Sequence, residues 1–358
     1  DIIGWGGDGM AIVNAVVGIV ARHEDMWSVF RPSSEVSRLN AAVRDAAIGD
    51  GASRCGADSA HGGPGLVVSE ETDRLLRDAL ALAEATGGTF NPLIGPLVAA
   101  WDVKAMRAAY VAGAPLPPAP AADAVEAASR ASSWGLLSRV GEQRWAMGVP
   151  CESVGGVDVA SPRLDLGGIA KGYTADACRD LAVSMGARGV LVSVGTSSVS
   201  VFGTRADGSS WRAGLRDPHG GPTSVAGVVE LPAGGMSSLS TSGDNLGPLG
   251  RVGVGCAAER AAESTSDRRA RETPRETSVG GGRVFDHHII DPRTGYPAHA
   301  GVRQVSVVAS SGVLAEALST ALLVEPSIDV PDVVARWARV TGAPASAKVV
   351  GLVRAAQG

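Results

Sequence analysis

The pattern of apolar residues changes near Arg163, and this change constrains the fold more than any other feature of the sequence. Before it, apolar residues recur at helical spacing, most clearly over Glu70–Thr86, a segment that Gly87 and Gly88 end. After it, short runs such as GVLVSV, VSVFG and WRAGLRD predict strands, and one helix is predicted over Ala170–Met185. These runs are therefore expected to form sheet crossed by one helix.

Further elements are predicted on both sides of this change. Residues 10–30 show helical spacing, and so does the segment SSEVSRLN, which Ser33 or Ser34 can cap. Near the end, RQVSVVA predicts a strand and VLAEALSTALLV a helix. Residues 41–65 and 257–283 are rich in small, polar or charged residues, so we predict flexible insertions there.

Composition and charge exclude several classes of partner. A net charge of -5 over 358 residues leaves no broad cationic surface for nucleic acid or anionic lipid. The apolar stretch Met10–Val20 is too short to span a bilayer, so we expect no membrane insertion. The four cysteines lie far apart without a CxxC pair, which indicates reduced thiols. Because no export signal is visible, we expect a cytoplasmic location and leave an exported form open.

The segment LDLGGIAKGYTADACRDL has the features of a phosphate site, with an expected strand whose paired glycines open onto a helix. Gly167 and Gly168 lack the Cβ atoms that would block a ligand, and a helix start presents free N–H groups. Lys171 adds a positive charge in the first turn, and Asp176 lies about one turn further on. An ordinary strand–turn–helix with a solvent lysine remains the alternative, because short glycine motifs are weak signals.

The segment DHHIIDPRTGYP carries two histidines followed by turn residues. His287 and His288 are expected to alternate across a strand, and the DP and TG pairs predict a tight turn after it. Histidine is the side chain best suited to proton transfer near neutral pH, and Asp291 could orient it. A structural or exposed histidine pair is the alternative interpretation.

The segment AEALSTALL places two oxygen-bearing side chains on one face of a predicted helix. Glu316 and Thr320 are four residues apart, so a carboxylate and a hydroxyl could reach one hard cation. For this pair in isolation, a solvated surface carboxylate is the more common arrangement.

Taken in order, SSEVSRLN, TGGTFNPLIGPLVAAW, LDLGGIAKGYTAD, WRAGL, STSG, HHIIDPRTGYP and AEALSTALL resemble the ApbE family, the FAD:protein FMN transferases, over nearly the whole chain. The resemblance implies an α+β fold: one T-fold-like domain over residues 1–358, with two lobes, mostly antiparallel sheets and the site between the lobes. It implies FAD as the substrate and Mg²⁺ as the cofactor. The expected product is FMN attached to a Ser or Thr hydroxyl of a partner protein, with AMP released.

The resemblance also implies where the site residues lie. The expected catalytic residues are His288, Asp291 and Lys171, and the expected ligands of Mg²⁺ are the Ala170 carbonyl, Glu316 and Thr320. The expected contacts of FAD are Asn40, Gly167, Gly168, Lys171, Tyr173, Asp176, Ser193, Gly195, Thr241, Ser242, Gly243 and His288.

Three departures from the family pattern keep alternatives open. Glu316 stands where the family helix usually carries Asp, SVGTSSVS replaces an Asn-x-Gly-Gly-Asp turn, and GWGGDGMA stands at the family's early Met-Gly-Thr strand. Such changes fit a specialised transferase or a homologue without activity. The alternatives are FMN transfer to a small-molecule hydroxyl, hydrolysis of the FAD pyrophosphate, and non-catalytic FAD binding.

Overall fold

The computed structural model describes residues 1–49, 65–112, 114–150, 160–220, 223–231, 236–243, 249–251, 284–286 and 288–354. The helices are α1 (Gly9–Trp27), α2 (Glu35–Gly49), α3 (Glu70–Ala85), α4 (Gly95–Ala100), α5 (Val103–Ala112), α6 (Ala122–Ala131), α7 (Ala170–Ser184), α8 (Gly312–Val324) and α9 (Val330–Thr341). The strands are β1 (Ile2–Trp5), β2 (Leu66–Val67), β3 (Leu137–Gly141), β4 (Arg144–Met147), β5 (Gly189–Val194), β6 (Ser198–Gly203), β7 (Trp211–Arg216), β8 (Val225–Leu231), β9 (Met236–Gly243), β10 (Leu249–Arg251), β11 (Val284–Asp286), β12 (Val302–Ala309) and β13 (Ala347–Arg354).

A six-stranded sheet in the order β1-β5-β6-β9-β12-β13 forms the centre of the fold, and all the pairings between its strands are antiparallel. Helices α7 and α8 contact its strands. Strand β12, which lies between β9 and the edge strand β13, is buried over most of its length, with Val305 and Val307 fully enclosed. This arrangement confirms the expected α+β class with antiparallel sheets.

Side-chain caps mark where helices α1 and α2 begin. The Asp8 carboxylate accepts from the backbone N–H groups of Met10 and Ala11 at the start of α1. Ser34 Oγ accepts from Ser37 N at 2.9 Å at the start of α2, which confirms the predicted cap. These bonds satisfy N–H groups that have no partner within the helix.

Most of the predicted elements are confirmed, namely α1, α2, α3, α7, α8 and strands β5, β6, β7 and β12. Residues 41–49 of the predicted insertion at 41–65 continue α2. Residues 50–64 of that insertion, and the whole predicted insertion at 257–283, lie outside the described residues.

The predicted strand before the paired glycines is wrong. Residues 161–166 form no strand and instead bond to a loop: Asp165 N donates to Pro92 O at 2.9 Å, and Gly95 N donates to Arg163 O at 3.2 Å. The strand expected to carry both histidines is also shorter than predicted, since β11 ends at Asp286 and His288 lies in a bend. His287 lies outside the described residues.

Two expectations from composition can be compared with the described residues. Cys178 is a buried free thiol, and burial raises its pKa to about 11, whereas the other three cysteines lie outside the described ranges. Within the part of the chain that the structure describes, no helix combines the length and apolar character needed to cross a bilayer.

Candidate functional site

Helices α7 and α8 cross with their backbones in contact at two glycines. A Cβ atom on Gly172 would lie 2.1 Å from Gly312 O, and one on Gly312 would lie 2.3 Å from Gly172 O. Both distances are too short for any side chain, so the crossing requires glycine on both helices. Because Glu316 lies about one turn after Gly312, the crossing places its side chain beside the first turn of α7.

Glu316 is 3% exposed and is held by groups at the start of α7. Its Oε2 accepts from Gly172 N at 2.6 Å, and its Oε1 forms an ion pair with Lys171 Nζ. Lys171 Nζ also donates to Gly167 O at 2.6 Å. The alternative of a solvated surface carboxylate is therefore wrong. A buried carboxylate needs a nearby cation and N–H donors, and Lys171 and Gly172 supply them. We call this group of residues, Gly167, Lys171, Gly172 and Glu316, the glycine junction.

The end of β9 extends the glycine junction along α8. Ser242 Oγ lies 3.0 Å from Thr320 Oγ1 and 2.8 Å from Ser319 Oγ, so the STSG segment meets the helix through hydroxyl groups. A Cβ on Gly168 would lie 3.9 Å from Thr320 Oγ1. The predicted metal ligand Thr320 therefore lies close to the paired-glycine turn.

A second turn faces the same lysine. Gly195, in the loop between β5 and β6, has φ +64°, and a Cβ there would lie 3.9 Å from Lys171 Cδ. The Ser193 hydroxyl donates to Gly195 O at 3.1 Å within this loop. The structure thus brings together seven predicted site residues: Gly167, Gly168, Lys171, Gly195, Ser242, Glu316 and Thr320.

Three other predicted residues have structural partners. Asp176 accepts from the hydroxyls of Ser200 and Ser238 at 2.7 and 2.6 Å and from Gly312 N at 2.6 Å, so it ties the sheet and α8 to α7. Thr241 Oγ1 lies 2.9 Å from Ser306 Oγ, across the pair of β9 and β12. Gly243 allows close approach, since a Cβ there would lie 2.9 Å from Arg303 O.

Of two predicted residues in the first turn of α7, Tyr173 contacts α1 directly and Ala170 is linked to α1 through Thr174. The Ala170 carbonyl accepts from Thr174 Oγ1 at 2.8 Å, and that hydroxyl also lies 2.8 Å from His23 Nδ1. Tyr173 packs edge-on against Trp27 with ring centroids 5.2 Å apart, and burial raises the pKa of its hydroxyl. Tyr173 and Asp176 also line a cavity of about 1140 Å³ between α3, α7 and α9.

Asn40 holds the backbone of the segment before the paired glycines through two hydrogen bonds. Its Nδ2 donates to Leu164 O at 3.1 Å, and its Oδ1 accepts from Leu164 N at 2.7 Å. The residue lines a cavity of about 390 Å³ together with Ser37 and Arg163. The amide thus fixes the backbone three residues before Gly167.

The predicted turn after the histidines is confirmed. Gly295, with φ +78°, donates its N–H to Asp291 O at 2.8 Å, and Trp101 Nε1 donates to Gly295 O at 2.8 Å. The Asp291 carboxylate, 8% exposed, accepts from Arg293 N, Nε and one terminal nitrogen at 2.9 to 3.1 Å. We call residues 288–297 the histidine turn.

His288 stays neutral over a wide range of pH. Burial, assisted by the positive charge of Arg107, lowers its pKa to about 4. A neutral imidazole has one ring nitrogen that can accept a proton, which is the state that a base requires.

Sequence reasoning missed the role of the two crossing glycines. Gly172 stands inside a helical pattern, where glycine costs stability relative to alanine and its presence indicates close packing. Gly312 gives a weaker signal because it starts its helix. Neither signal shows that the two residues are partners, since 140 positions separate them.

The fold is that of an antiparallel α+β protein. Its site combines a buried carboxylate with a lysine at the start of a helix, and such a helix start is suited to binding phosphate. The chain matches the model of the ApbE family over residues 5–253 and 264–341, and it belongs to that family.

Relatives and solved structures support this assignment. The FAD:protein FMN transferase of Treponema pallidum is 31% identical over 322 residues, which are 88% of this chain and 71% of the relative. The enzyme of that name from Rhodobacter capsulatus is 29% identical over 92% of this chain, which spans 49% of the relative. The ApbE protein of Thermotoga maritima, at 24% identity and TM-score 0.63, has the same fold over 99% of this chain and 92% of its own.

The flavinyl transferase ApbE of Pseudomonas stutzeri has the same fold at 23% identity and TM-score 0.61, over 97% of this chain and 86% of its own. The FAD:protein FMN transferase of Salmonella typhimurium is 28% identical over 75% of this chain, which spans 63% of the relative. This chain thus spans less than two thirds of the length of two of the three curated relatives named here.

Proposed function

We propose that this chain is a flavin transferase that uses FAD and Mg²⁺ to attach FMN to a Ser or Thr hydroxyl of a protein, releasing AMP. The observation that carries the proposal is the glycine junction, where Glu316 is buried against the Lys171 ammonium and the Gly172 N–H in the first turn of α7. Relatives named FAD:protein FMN transferase support FAD as the substrate and a protein as the acceptor.

The start of α7 is suited to the phosphates of FAD. Lys171 supplies a positive charge, and the helix terminus supplies the positive end of its dipole. Gly167 and Gly168 have no side chains that would keep a phosphate away from this backbone. These groups stabilise the negative charge that develops on phosphate oxygens when the pyrophosphate breaks.

The residues at the junction fit a magnesium ion. Glu316 provides a buried carboxylate and Thr320 a hydroxyl one turn later, and Mg²⁺ prefers oxygen ligands of these kinds. When bound, Mg²⁺ would neutralise charge on the phosphate oxygens. A backbone carbonyl from the turn would complete the protein's share of the ligands. Ala170 was the expected source, and in this structure its carbonyl accepts from Thr174.

His288 is the proposed base for the acceptor hydroxyl. In the transfer, the acceptor oxygen forms a bond to the FMN phosphorus, and the bond from that phosphorus to the bridging oxygen breaks. AMP leaves with the bridging oxygen, and the hydroxyl proton passes to the base. The neutral state of His288 allows it to take that proton.

The test is to incubate the protein with FAD and Mg²⁺, with and without acceptor proteins, and to analyse nucleotides by chromatography and acceptors by mass spectrometry. The proposal expects AMP and one FMN mass on a Ser or Thr of an acceptor, and loss of both with a chelator. Free FMN plus AMP without modified acceptor would show hydrolysis instead. A small-molecule FMN ester would identify a different acceptor class, and tightly bound intact FAD without AMP would indicate a binding protein.

A further inference from the structure

The ammonium of Lys171 lies between two oxygen ligands of the kind that a metal ion would use. Nζ contacts Gly167 O at 2.6 Å and Glu316 Oε1. Its side chain is 37% exposed, whereas that of Glu316 is 3% exposed. The carboxylate is therefore fixed inside the protein, and its cationic partner reaches it from the solvent side.

We propose that Lys171 and the divalent cation exchange at Glu316: the cation takes the place of the ammonium, and the released ammonium turns to the FAD phosphates. The part concerning FAD rests on the proposed function, and the exchange itself does not. One side chain would then neutralise the buried carboxylate before metal binding and the phosphates after it.

The surroundings of Lys171 favour such a movement. Gly195 lies beside the Lys171 stem and Gly168 lies in the adjoining turn, so neither position places a side chain there. Lysine has a flexible four-carbon stem and a single charged group, whereas an arginine fork would hold a carboxylate by two bonds. Glu316 Oε2 accepts from Gly172 N, which keeps the carboxylate in place when the ammonium leaves.

A second ion pair of α7, between Arg179 and Asp176, provides a comparison because both of its side chains are enclosed. Arg179 and Asp176 have side chains that are 5% and 16% exposed, and they are 2.9 Å apart. Arg179 also bonds to Ser200 at 2.6 Å, and Asp176 accepts from Gly312 N. Both side chains of this pair are enclosed, whereas the Lys171 side chain is 37% exposed, so the two pairs differ in how accessible the cation is.

The first test measures Mg²⁺ binding by calorimetry without FAD. Lys171→Met removes the competing charge and keeps an unbranched side chain, so we expect Mg²⁺ to bind about tenfold more tightly or better than to the unaltered protein. Lys348→Met, which removes an exposed lysine of β13, is the matched control and should leave the affinity unchanged. An unchanged or weaker affinity in Lys171→Met, with the variant shown to be folded by circular dichroism, would overturn the proposal.

The second test follows the lysine itself. The sequence has three lysines, Lys104, Lys171 and Lys348, so acetylation by a limiting reagent can be quantified at each by mass spectrometry. We expect Mg²⁺ to raise the labelling of Lys171 severalfold and to leave Lys348 unchanged. Equal labelling of Lys171 with and without saturating Mg²⁺ would show that the ammonium stays on Glu316 and would refute the exchange.

These two tests separate the exchange from the proposed function. If the unaltered protein transfers no FMN but both tests give the expected result, the function is wrong and the exchange stands. If FMN transfer depends on Mg²⁺ while affinity and labelling do not change as expected, the exchange is wrong and the function stands.

Discussion

The glycine junction and the histidine turn each contain a nearly buried carboxylate, but they stabilise it differently. Asp291, 8% exposed, is satisfied by Arg293 from its own turn through three bonds. Glu316, 3% exposed, depends on Gly172 and Lys171 from another helix, and one of these partners is a flexible lysine. The difference indicates that Asp291 shapes a turn, whereas Glu316 can change its cationic partner.

The largest effect is expected from breaking the helix crossing that creates the junction. Gly172→Ala would place a Cβ 2.1 Å from the Gly312 carbonyl oxygen, so the helices must separate. We expect a loss of at least about 3 kcal/mol in the free energy of unfolding. Urea denaturation followed by circular dichroism measures this loss.

Gly18→Ala is the matched control for that substitution. Gly18 lies inside α1, and a Cβ there would meet nothing within 4 Å. Alanine should stabilise this helix by about 0.5 to 1 kcal/mol. If both variants had similar stability, the backbone contact between α7 and α8 would not be the reason for glycine at position 172.

The next effect separates the two carboxylates by function. Glu316→Gln keeps an oxygen that can accept from Gly172 N but removes the charge, so we expect FMN transfer to fall by about a hundredfold or more. Stability without metal should change little, because Lys171 can turn to solvent. The rate of AMP release and a calorimetric titration with Mg²⁺ measure these quantities. Normal Mg²⁺ affinity in this variant would remove Glu316 from the metal site.

The corresponding change in the histidine turn should have the opposite profile. Asp291→Asn weakens the bonds from Arg293, and we expect a loss of about 1 to 3 kcal/mol in the free energy of unfolding. Mg²⁺ affinity should stay as in the unaltered protein. Thermal unfolding and calorimetry on the same sample test both statements, and a large loss of Mg²⁺ affinity would show that the two regions are not separate in function.

The sequence predicted correctly those helices and strands whose start, end or alternation depends on neighbouring residues. The cap at Ser34, the glycines that end α3 and the alternation of β5 and β6 all operate within a few residues. The segment that starts at Arg163 was predicted as a strand because polar and apolar residues alternate in it. Its hydrogen bonds go to a loop at residues 92–95 because tertiary packing, not local sequence, determines its partner.

The candidate site was predictable as a set of residues but not as an arrangement. The family resemblance indicated Lys171, Glu316 and Thr320, yet Glu316 contacts Gly172, which is 144 positions away. Burial of Glu316 follows from that long-range contact, so spacing within α8 could not predict it. The structural bonds of Asp176 to Ser200 and Gly312 were hidden for the same reason.

The last effect appears only at acidic pH and concerns the histidine turn. Burial, together with the charge of Arg107, lowers the pKa of His288 from its ordinary 6.5 to about 4 in the folded state. Between these values the unfolded chain binds more protons, so this residue's contribution to stability is present above pH 6.5 and is lost as pH falls toward 4. We expect His288→Asn to remove roughly 2 to 3 kcal/mol of this pH dependence, measured by urea denaturation between pH 4 and 7.

His299→Asn, which changes an exposed histidine close to the same turn, should keep the pH dependence of the unaltered protein. His23, whose pKa is also lowered by burial, is present in both variants, so the difference between them isolates His288. If His288→Asn had the same slope as the unaltered protein, the imidazole would be accessible to protons in the folded state. The histidine turn would then contain a polar group that can change its partner, as the glycine junction does. The two regions would differ only in how Asp291 and Glu316 are held.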